Sequence, residues 1–424
     1  MLLGPHSLLW YVLATLAALW AGWVLVRYVP FYRGLTADAG THLPGKTAGR
    51  FDALDGLRGF LALAVVVHHA CIARLHFVDL EWVEPDSVFY TAIGPIAVAM
   101  FFMVTGFLFW GKAWDSGGRV APLRLLHNRV RRIAPLFLLL ATIIAALAIL
   151  RSDEWRGLPT GLTQYLASTA GLGLVFLPKL NNVHPDPLYQ SMIWTLQYEW
   201  QFYLALPLIG LLATPRRYWG IVIVGLAVTY WLDDALYLNF LGGIAAVHLL
   251  HYPAARRWLA SPVVAAAALA WLVGVIVLAS QFWVTTGSYR QYQAPAVLAS
   301  FPLFLTVVAG TSYGGLLTWR PSRCLGHISY SVYLLHGSVL YICLWFISRR
   351  IALHEIPPWQ YWLLASVLMT VVVGFSACTY RLVEWPFLHR SSARTRPAPA
   401  AAESALTQQP ANPVTPSVVV VREN

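Results

Sequence analysis

The sequence predicts an all-α integral membrane protein, a polytopic helical bundle of about eleven spans. Three observations predict it. Of 424 residues, 58% are hydrophobic and only 11% charged, against roughly 25% charged in a soluble domain. The apolar residues gather in stretches of spanning length, about 20 residues each. The basic residues divide unevenly between the connections, as in membrane proteins that keep Lys and Arg inside. This composition excludes disorder, a disulfide scaffold and an ordinary cytosolic enzyme. The length suggests two or three domains, but a polytopic membrane protein is normally one bundle.

In chain order the apolar stretches fall at 8–29, 57–78, 89–111, 132–150, 194–213, 217–231, 236–251, 258–280, 294–312, 328–349 and 360–382. The sixth and seventh are short. The first is not a signal peptide: Met1 to Ser7 carries no Lys or Arg, no A-x-A site follows, and Arg27 and Arg33 come after the apolar run, the reverse of a signal peptide. It reads as a membrane anchor with its N-terminus outside. Twenty-one of the 29 basic residues then fall in inner segments and six in outer loops, with Arg74 and Arg381 left within or at the end of spans. That split favours this topology, with the C-terminus in the cytoplasm.

The expected organisation is an extra N-terminal helix and inner linker over 1–50, a ten-helix core over 51–388, and a tail over 389–424. The tail is rich in Ala, Pro, Ser and Gln and is expected to be disordered. Residues 151–193 form the long outer loop, and loops of this length are usually functional or disordered. Within it, 165–178 is apolar, short and broken by glycine, a re-entrant or interfacial piece. The net charge is +11. In a soluble protein that would raise nucleic acid; here the cationic loops suit membrane lipids or a phosphorylated cofactor, and no nucleic-acid partner is expected. Cys71, Cys343 and Cys378 lie in apolar runs and Cys324 in a short loop, without CxxC spacing, so no disulfide framework or zinc site is expected. No HExxH, acidic cluster, P-loop or GxGxxG is present.

The second stretch begins Asp55-Gly56-Leu57-Arg58 and reaches His68-His69 mid-run. Arg58 and His69 are eleven residues apart, almost three helical turns, so both point to one face about 16 Å apart along the axis. His69 then lies about 18 Å into a hydrocarbon core of about 30 Å. An ionisable residue at that depth marks a functional cavity by default; the plainer alternative is a buried His satisfied by a neighbouring helix. His68 points about 100° away and reads as structural. Before the fourth stretch, Arg129 and Arg132 are i,i+3 and share a face. Guanidinium groups suit bidentate phosphate binding, although positive-inside anchoring is the simpler reading of composition alone.

The fifth stretch carries Glu199 about 8 Å from the outer face, with Tyr203 one turn on. A carboxylate there needs a cation, a hydroxyl or a proton, or else it partners an Arg or His of another span. In the tenth, Tyr330, Tyr333 and His336 recur at i+3 and face the interior, with His336 about 12 Å from the inner face. A Tyr/His cluster that holds helices together accounts for them equally well. Arg381 and Glu384 can pair at i,i+3. Outer aromatics such as Trp82, Trp155, Tyr189 and Trp194 suit sugar stacking, but an interfacial aromatic belt is the simpler explanation.

Six blocks, DALDGLRGFLALAVVVHHA, FFMVTGFLFW, NRVRRIAPLF, WTLQYEWQFYLALPL, ISYSVYLLHGSVL and YRLVEWPF, span residues 52–387. In this order they resemble the acyltransferase-3 family of integral-membrane acyltransferases, the O-antigen acetylase type. The resemblance implies a ten-helix core, in a cell membrane of the bacterial inner-membrane kind. It implies an enzyme that takes an acyl group from cytoplasmic acyl-CoA, acetyl-CoA above all, to a hydroxyl of a carbohydrate or glycolipid. The family's Arg-x10-His motif lands on Arg58 and His69, its RxxR on Arg129 and Arg132, its Glu on Glu199 and its late His on His336. Two positions depart from the pattern: Trp200 stands where many members have a second acid, and Thr105 replaces a common Ser.

That chemistry suits the residues. A thioester is already activated, so the main need is a base for the attacking hydroxyl, and His69 and Glu199 are the catalytic candidates. Arg58, Arg129 and Arg132 at the inner mouth would bind the donor's phosphates, with Tyr203, Tyr330 and His336 in support. A covalent acyl-His intermediate is the alternative. A proton-coupled secondary transporter would use buried His and Glu equally well, but the repeats with paired broken helices common in transporters are not found. A sensory or scaffolding protein would not need Arg58 and His69 in phase.

Overall fold

The structure is a computed structural model that describes residues 7–37, 48–79, 87–152, 159–181, 192–214, 217–232, 234–282 and 289–389, together with Pro85 and Val183. Trp82, Trp155, Tyr189 and the tail beyond 389 lie outside the described residues. Among the described residues the regular structure is helical, with one isolated bridge between Leu180 and Val183. The helices are α1 (Leu8–Tyr28), α2 (Pro30–Leu35), α3 (Ala48–Asp79), α4 (Val88–Asp115), α5 (Pro122–Arg151), α6 (Leu162–Ala170), α7 (Ile193–Ile209), α8 (Tyr218–Leu232), α9 (Tyr237–Leu250) and α10 (Pro253–Leu259). They continue with α11 (Pro262–Phe282), α12 (Tyr289–Ala309), α13 (Arg320–His327), α14 (Ser329–Ser348), α15 (Pro358–Thr379) and α16 (Trp385–His389).

Every expected apolar stretch falls on a helix, but the helices differ in reach. Among the described residues six are long and apolar enough to cross a membrane, and a seventh arises if Pro253–Leu259 and Pro262–Leu278, bent by 63°, make one span. Gly220–Leu232, Tyr237–Leu250 and Pro295–Ala309 are apolar but shorter. At about 1.5 Å per residue the first two fall short of a core about 30 Å thick, whereas the third is the apolar end of α12, 21 residues long. The chain is therefore a multi-pass bundle in which six or seven crossings are supported by helix length. The apolar piece at 165–178 is the end of α6 followed by an irregular run, which packs on α7 where Trp200 Nε1 donates to the Leu172 carbonyl at 2.8 Å.

Local signals set the helix ends. Ser7 caps α1 by accepting from the Leu9 amide at 3.3 Å, and Pro122 and Pro358 open α5 and α15, where the absent N–H costs nothing. Two glycine contacts then position the site. On α3 and α13, a Cβ at Gly59 would lie 2.9 Å from the Gly326 nitrogen, and one at Gly326 would lie 1.9 Å from the Asp55 oxygen. With no side chains between them, the two backbones touch, and Arg323 pairs with Asp52 at 3.1 Å beside the contact. On α4 and α9, Cβ atoms at Gly106 and Gly243 would meet the carbonyl oxygens of Phe240 and Met103 at 2.5 and 2.2 Å. α3 is thus held centrally against α4, α13 and α14. α1 lies along α13 and α15, and Tyr32, after it, donates to the Ala377 carbonyl at 2.5 Å.

Candidate active site

The three arginines singled out in the sequence converge. Arg58 from α3, Arg129 and Arg132 from α5, Glu199 and Tyr203 from α7, and Tyr330 and Tyr333 from α14 line one cavity of about 320 Å³. The i,i+3 spacing on α5 brings Arg129 and Arg132 to it together. Arg131, between them, turns away and donates from Nε to the Phe387 carbonyl at 3.1 Å. Arg129 lies 4.6 Å above the Phe109 ring and 5.4 Å from the Tyr203 ring, a stacking a planar guanidinium favours. Arg58 pairs with Asp55 at 3.4 Å, within its own helix. Thr105 also lines the cavity.

Arg132 has the most fixed partner. Its Nη1 lies 3.0 Å from Glu384 Oε2, and Glu384, 1% exposed, also accepts from the Ser331 hydroxyl. The expected pairing of Arg381 with Glu384 does not form. The chain widens into a π-helical turn over Tyr380–Glu384, which swings Glu384 inward to α5 while Arg381 rests over the Phe31 ring at 5.4 Å. Such turns recur at functional sites. Sequence reasoning missed Glu384 as the partner of Arg132, its only signal a carboxylate beside an arginine at a helix end, and it missed His327, which lines the cavity.

Glu199 accepts from Tyr203 Oη at 2.8 Å. It shares the cavity with the arginines rather than meeting the histidines. Trp200, which departs from the acid of many family members, donates to the Leu172 carbonyl. The Tyr330 hydroxyl is buried, with no hydrogen-bond partner among the described residues, and Arg132 lies 5.0 Å over its ring.

His69 and His336 meet beyond the cavity. His336 Nε2 is 3.1 Å from His69 Nδ1. His336 Nδ1 lies 3.1 Å from the Val332 carbonyl and 2.8 Å from that of Tyr333. Carbonyl oxygens only accept, so this nitrogen carries the proton and Nε2 of a neutral His336 accepts. The proton in the His–His contact then belongs to His69 Nδ1, which also lies 3.0 Å from the Val65 carbonyl. The basic nitrogen of a neutral His69 is therefore Nε2. His68, as its phase indicates, faces elsewhere: its Nδ1 lies 2.7 Å from the Tyr90 carbonyl, and its ring packs on Gly94 of α4.

Neither histidine is among the cavity's lining residues. Tyr333, one turn before His336, closes this end of the cavity lining: its hydroxyl donates to Thr195 Oγ1 at 3.1 Å and its ring packs edge-on against Phe101 at 5.2 Å. The site thus has a cationic cavity, an aromatic partition and a histidine pair, in that order along α14. Among the described residues no three His, Cys, Asp or Glu side chains converge as metal ligands.

Comparison with known proteins identifies the family. Residues 51–381 match the acyltransferase-3 family model, described as an acyltransferase domain. The chain is 26% identical over 409 residues to "Acyltransferase MdmB" of Streptomyces mycarofaciens, covering 85% of this chain and 97% of that protein. It is 25% identical over 321 residues to "Exopolysaccharide production protein ExoZ" of Rhizobium meliloti, covering 71% and 92%. It is 22% identical over 373 residues to "O-acetyltransferase OatA" of Staphylococcus aureus, covering 78% and 56%. No solved structure matches the chain. With most of its length inside the family match and its helices long enough for several crossings, the chain belongs to the acyltransferase-3 family and is a multi-pass membrane acyltransferase.

Proposed function

We propose that the protein moves an acyl group, acetyl in the simplest case, from cytoplasmic acyl-CoA to a hydroxyl of a carbohydrate or glycolipid acceptor, without a metal. The observation that carries this reading is the His336–His69 contact beyond the arginine cavity. It leaves His69 Nε2 as the basic nitrogen, and one base is what an activated thioester still needs. The acceptor oxygen gives its proton to His69 Nε2 and bonds the thioester carbonyl carbon. The carbon–sulfur bond breaks, and the CoA thiolate takes the proton back from His69. Arg58, Arg129 and Arg132 hold the donor, and Tyr330 donates to it. Tyr203 orients Glu199, His336 sets the tautomer of His69, and the acyl group passes Tyr333 on its way in.

The names of two relatives, one for exopolysaccharide production and one for O-acetyl transfer, support a glycan acceptor and an acetyl group. A proton-coupled transporter is not favoured, because the family and its relatives are acyltransferases. The test is release of free CoA thiol from acetyl-CoA by purified protein, with and without bacterial glycans or glycolipids. Acceptor-dependent release supports the reading, and folded protein that turns over no thioester overturns it.

The same reading orients the chain with its N-terminus outside and the 111–131 segment, with the turn between α4 and α5, in the cytoplasm. Cysteines at two exposed positions, Leu123→Cys and Thr160→Cys, report on this with an impermeant reagent on intact cells. Labelling of Thr160→Cys alone is expected; labelling of Leu123→Cys alone would invert the topology.

A further inference from the structure

A second cavity of about 300 Å³ adjoins the first, and Phe109 and Arg129 line both. Its other lining residues include Lys112 at the end of α4, Arg119 in the turn that follows, and Arg124 and Asn128 on α5. No carboxylate is among the residues that line it. The contrast with the first cavity is one of charge. There, Arg58 and Arg132 are each matched by a carboxylate, Asp55 and Glu384, and Glu199 faces the same space. In the recess four cations stand together. The wall between is built as well: Phe109 lies between Arg129 at 4.6 Å and Lys112 at 5.6 Å.

The turn that carries Arg119 is also fixed. Gly117 and Gly118 have φ of +62° and +84°, values that glycine adopts without strain. The Gly118 amide donates to the Ala113 carbonyl at 2.8 Å, and a Cβ at Gly118 would lie 2.7 Å from the Gly210 oxygen. The Ser116 hydroxyl, 3.0 Å from the Ala113 carbonyl and 2.9 Å from that of Arg119, closes it.

We propose that this recess, lined by Lys112, Arg119, Arg124 and Arg129, binds the phosphates at the nucleotide end of the acyl donor. The inference rests on the acyl-CoA reading above and divides the donor between the two cavities. The polyanionic end sits where cations lack carboxylates. The slender pantetheine arm passes Arg129 into the first cavity, where paired arginines and the Tyr330 hydroxyl meet its amides. An anionic lipid headgroup offers the same phosphate chemistry, but the wall that the recess shares with the first cavity favours the donor.

The experiment is titration calorimetry on the full chain, purified in detergent free of anionic lipid, with CoA and with dephospho-CoA, which lacks the 3′-phosphate. Arg119→Ala combined with Arg124→Ala removes two exposed side chains and leaves the fold intact. Lost charged hydrogen bonds should weaken CoA binding by about ten- to hundredfold. The preference for CoA over dephospho-CoA should narrow in the same variant, a coupling that general damage would not produce. A charge-matched control, Arg256→Ala with Arg257→Ala on α10, should change neither. Unchanged CoA affinity in the first variant, or equal losses for the two ligands, overturns the subsite. So does a variant that keeps CoA but no longer retains phosphatidylglycerol on purification, which would make the recess a headgroup site. Absence of CoA binding by the unaltered protein is a different result, because it removes the acyl-CoA reading itself.

Discussion

The arginine cavity and the histidine pair share α3 and α14, the cavity adding α5 and α7, yet they are held together differently. In the cavity, charges are matched by charges: Arg58 with Asp55, and Arg132 with Glu384. At the pair, His336 is 0% exposed and both rings are held by backbone carbonyls one turn back along their own helices. Charge matching allows a polar ligand to compete for partly open groups. Carbonyl anchoring fixes which nitrogen carries a proton without adding a charge. The first arrangement suits binding and the second suits proton transfer, so substitutions in the two places should separate affinity from rate.

The largest effect is expected at His69. General-base assistance is typically worth about 10²–10⁴-fold, so His69→Ala should lose about that much in transfer rate. Acyl-CoA affinity should largely survive, because Tyr333 stands between the pair and the cavity. His68→Ala loses a contact to the Tyr90 carbonyl, which should cost about 1 kcal/mol of stability and little rate. Transfer rates of both variants at matched concentrations of folded protein decide the matter. A dominant loss at His68, or equal small losses, would sink the assignment.

Arg132 gives the complementary break. Arg132→Ala strands Glu384, and loss of one partner of a buried pair costs about 3–5 kcal/mol. It should also lower acyl-CoA affinity by about tenfold. Adding Glu384→Gln to that variant should restore melting temperature but not affinity, because only the stranded charge is removed. Arg132→Lys should keep stability and still bind the donor less well, since the planar fork is lost. If calorimetry on folded Arg132→Lys and on an Arg129→Ala, Arg132→Ala double variant finds the affinity of the unaltered chain, these residues are membrane anchors and nothing more.

What could be read in advance followed helical phase. Eleven residues from Arg58 to His69, and three from Arg129 to Arg132, place side chains on a face whatever the rest of the fold does. Phase cannot say which faces meet. That His336 would reach His69, or that Tyr333 would close against Thr195 and Phe101, depends on packing between segments far apart in the chain. Glu384 escaped for a local reason, because a π-helical turn breaks the 3.6-residue phase on which an Arg381 pairing rested. Hydropathy also marks Tyr218–Leu232 and Tyr237–Leu250, which are apolar but shorter than the six long helices, because it registers apolar composition and not the length of the helix that forms.

Glu199 sharpens the comparison, with the smallest expected effect of the three. Its position in the outer half of an apolar stretch suggested work on the acceptor or its departing proton, whereas its contacts lie with the arginines and Tyr203. Glu199→Gln keeps the shape and the Tyr203 contact and removes the charge. If the carboxylate acts on the acceptor, transfer should fall by roughly tenfold, the worth of one charged hydrogen bond. Acyl-CoA affinity should hold or rise, because a negative charge has left a cavity that receives an anion. If Glu199 instead serves only to neutralise the arginines, transfer at saturating donor should be unchanged and melting temperature should fall. A full steady-state profile in both substrates, with melting temperature measured alongside, separates the two. A lower kcat with a stable fold would assign Glu199 to the chemistry despite its place in the cavity. An unchanged kcat would leave the histidine pair as the sole proton-handling site and make the division between the two regions complete.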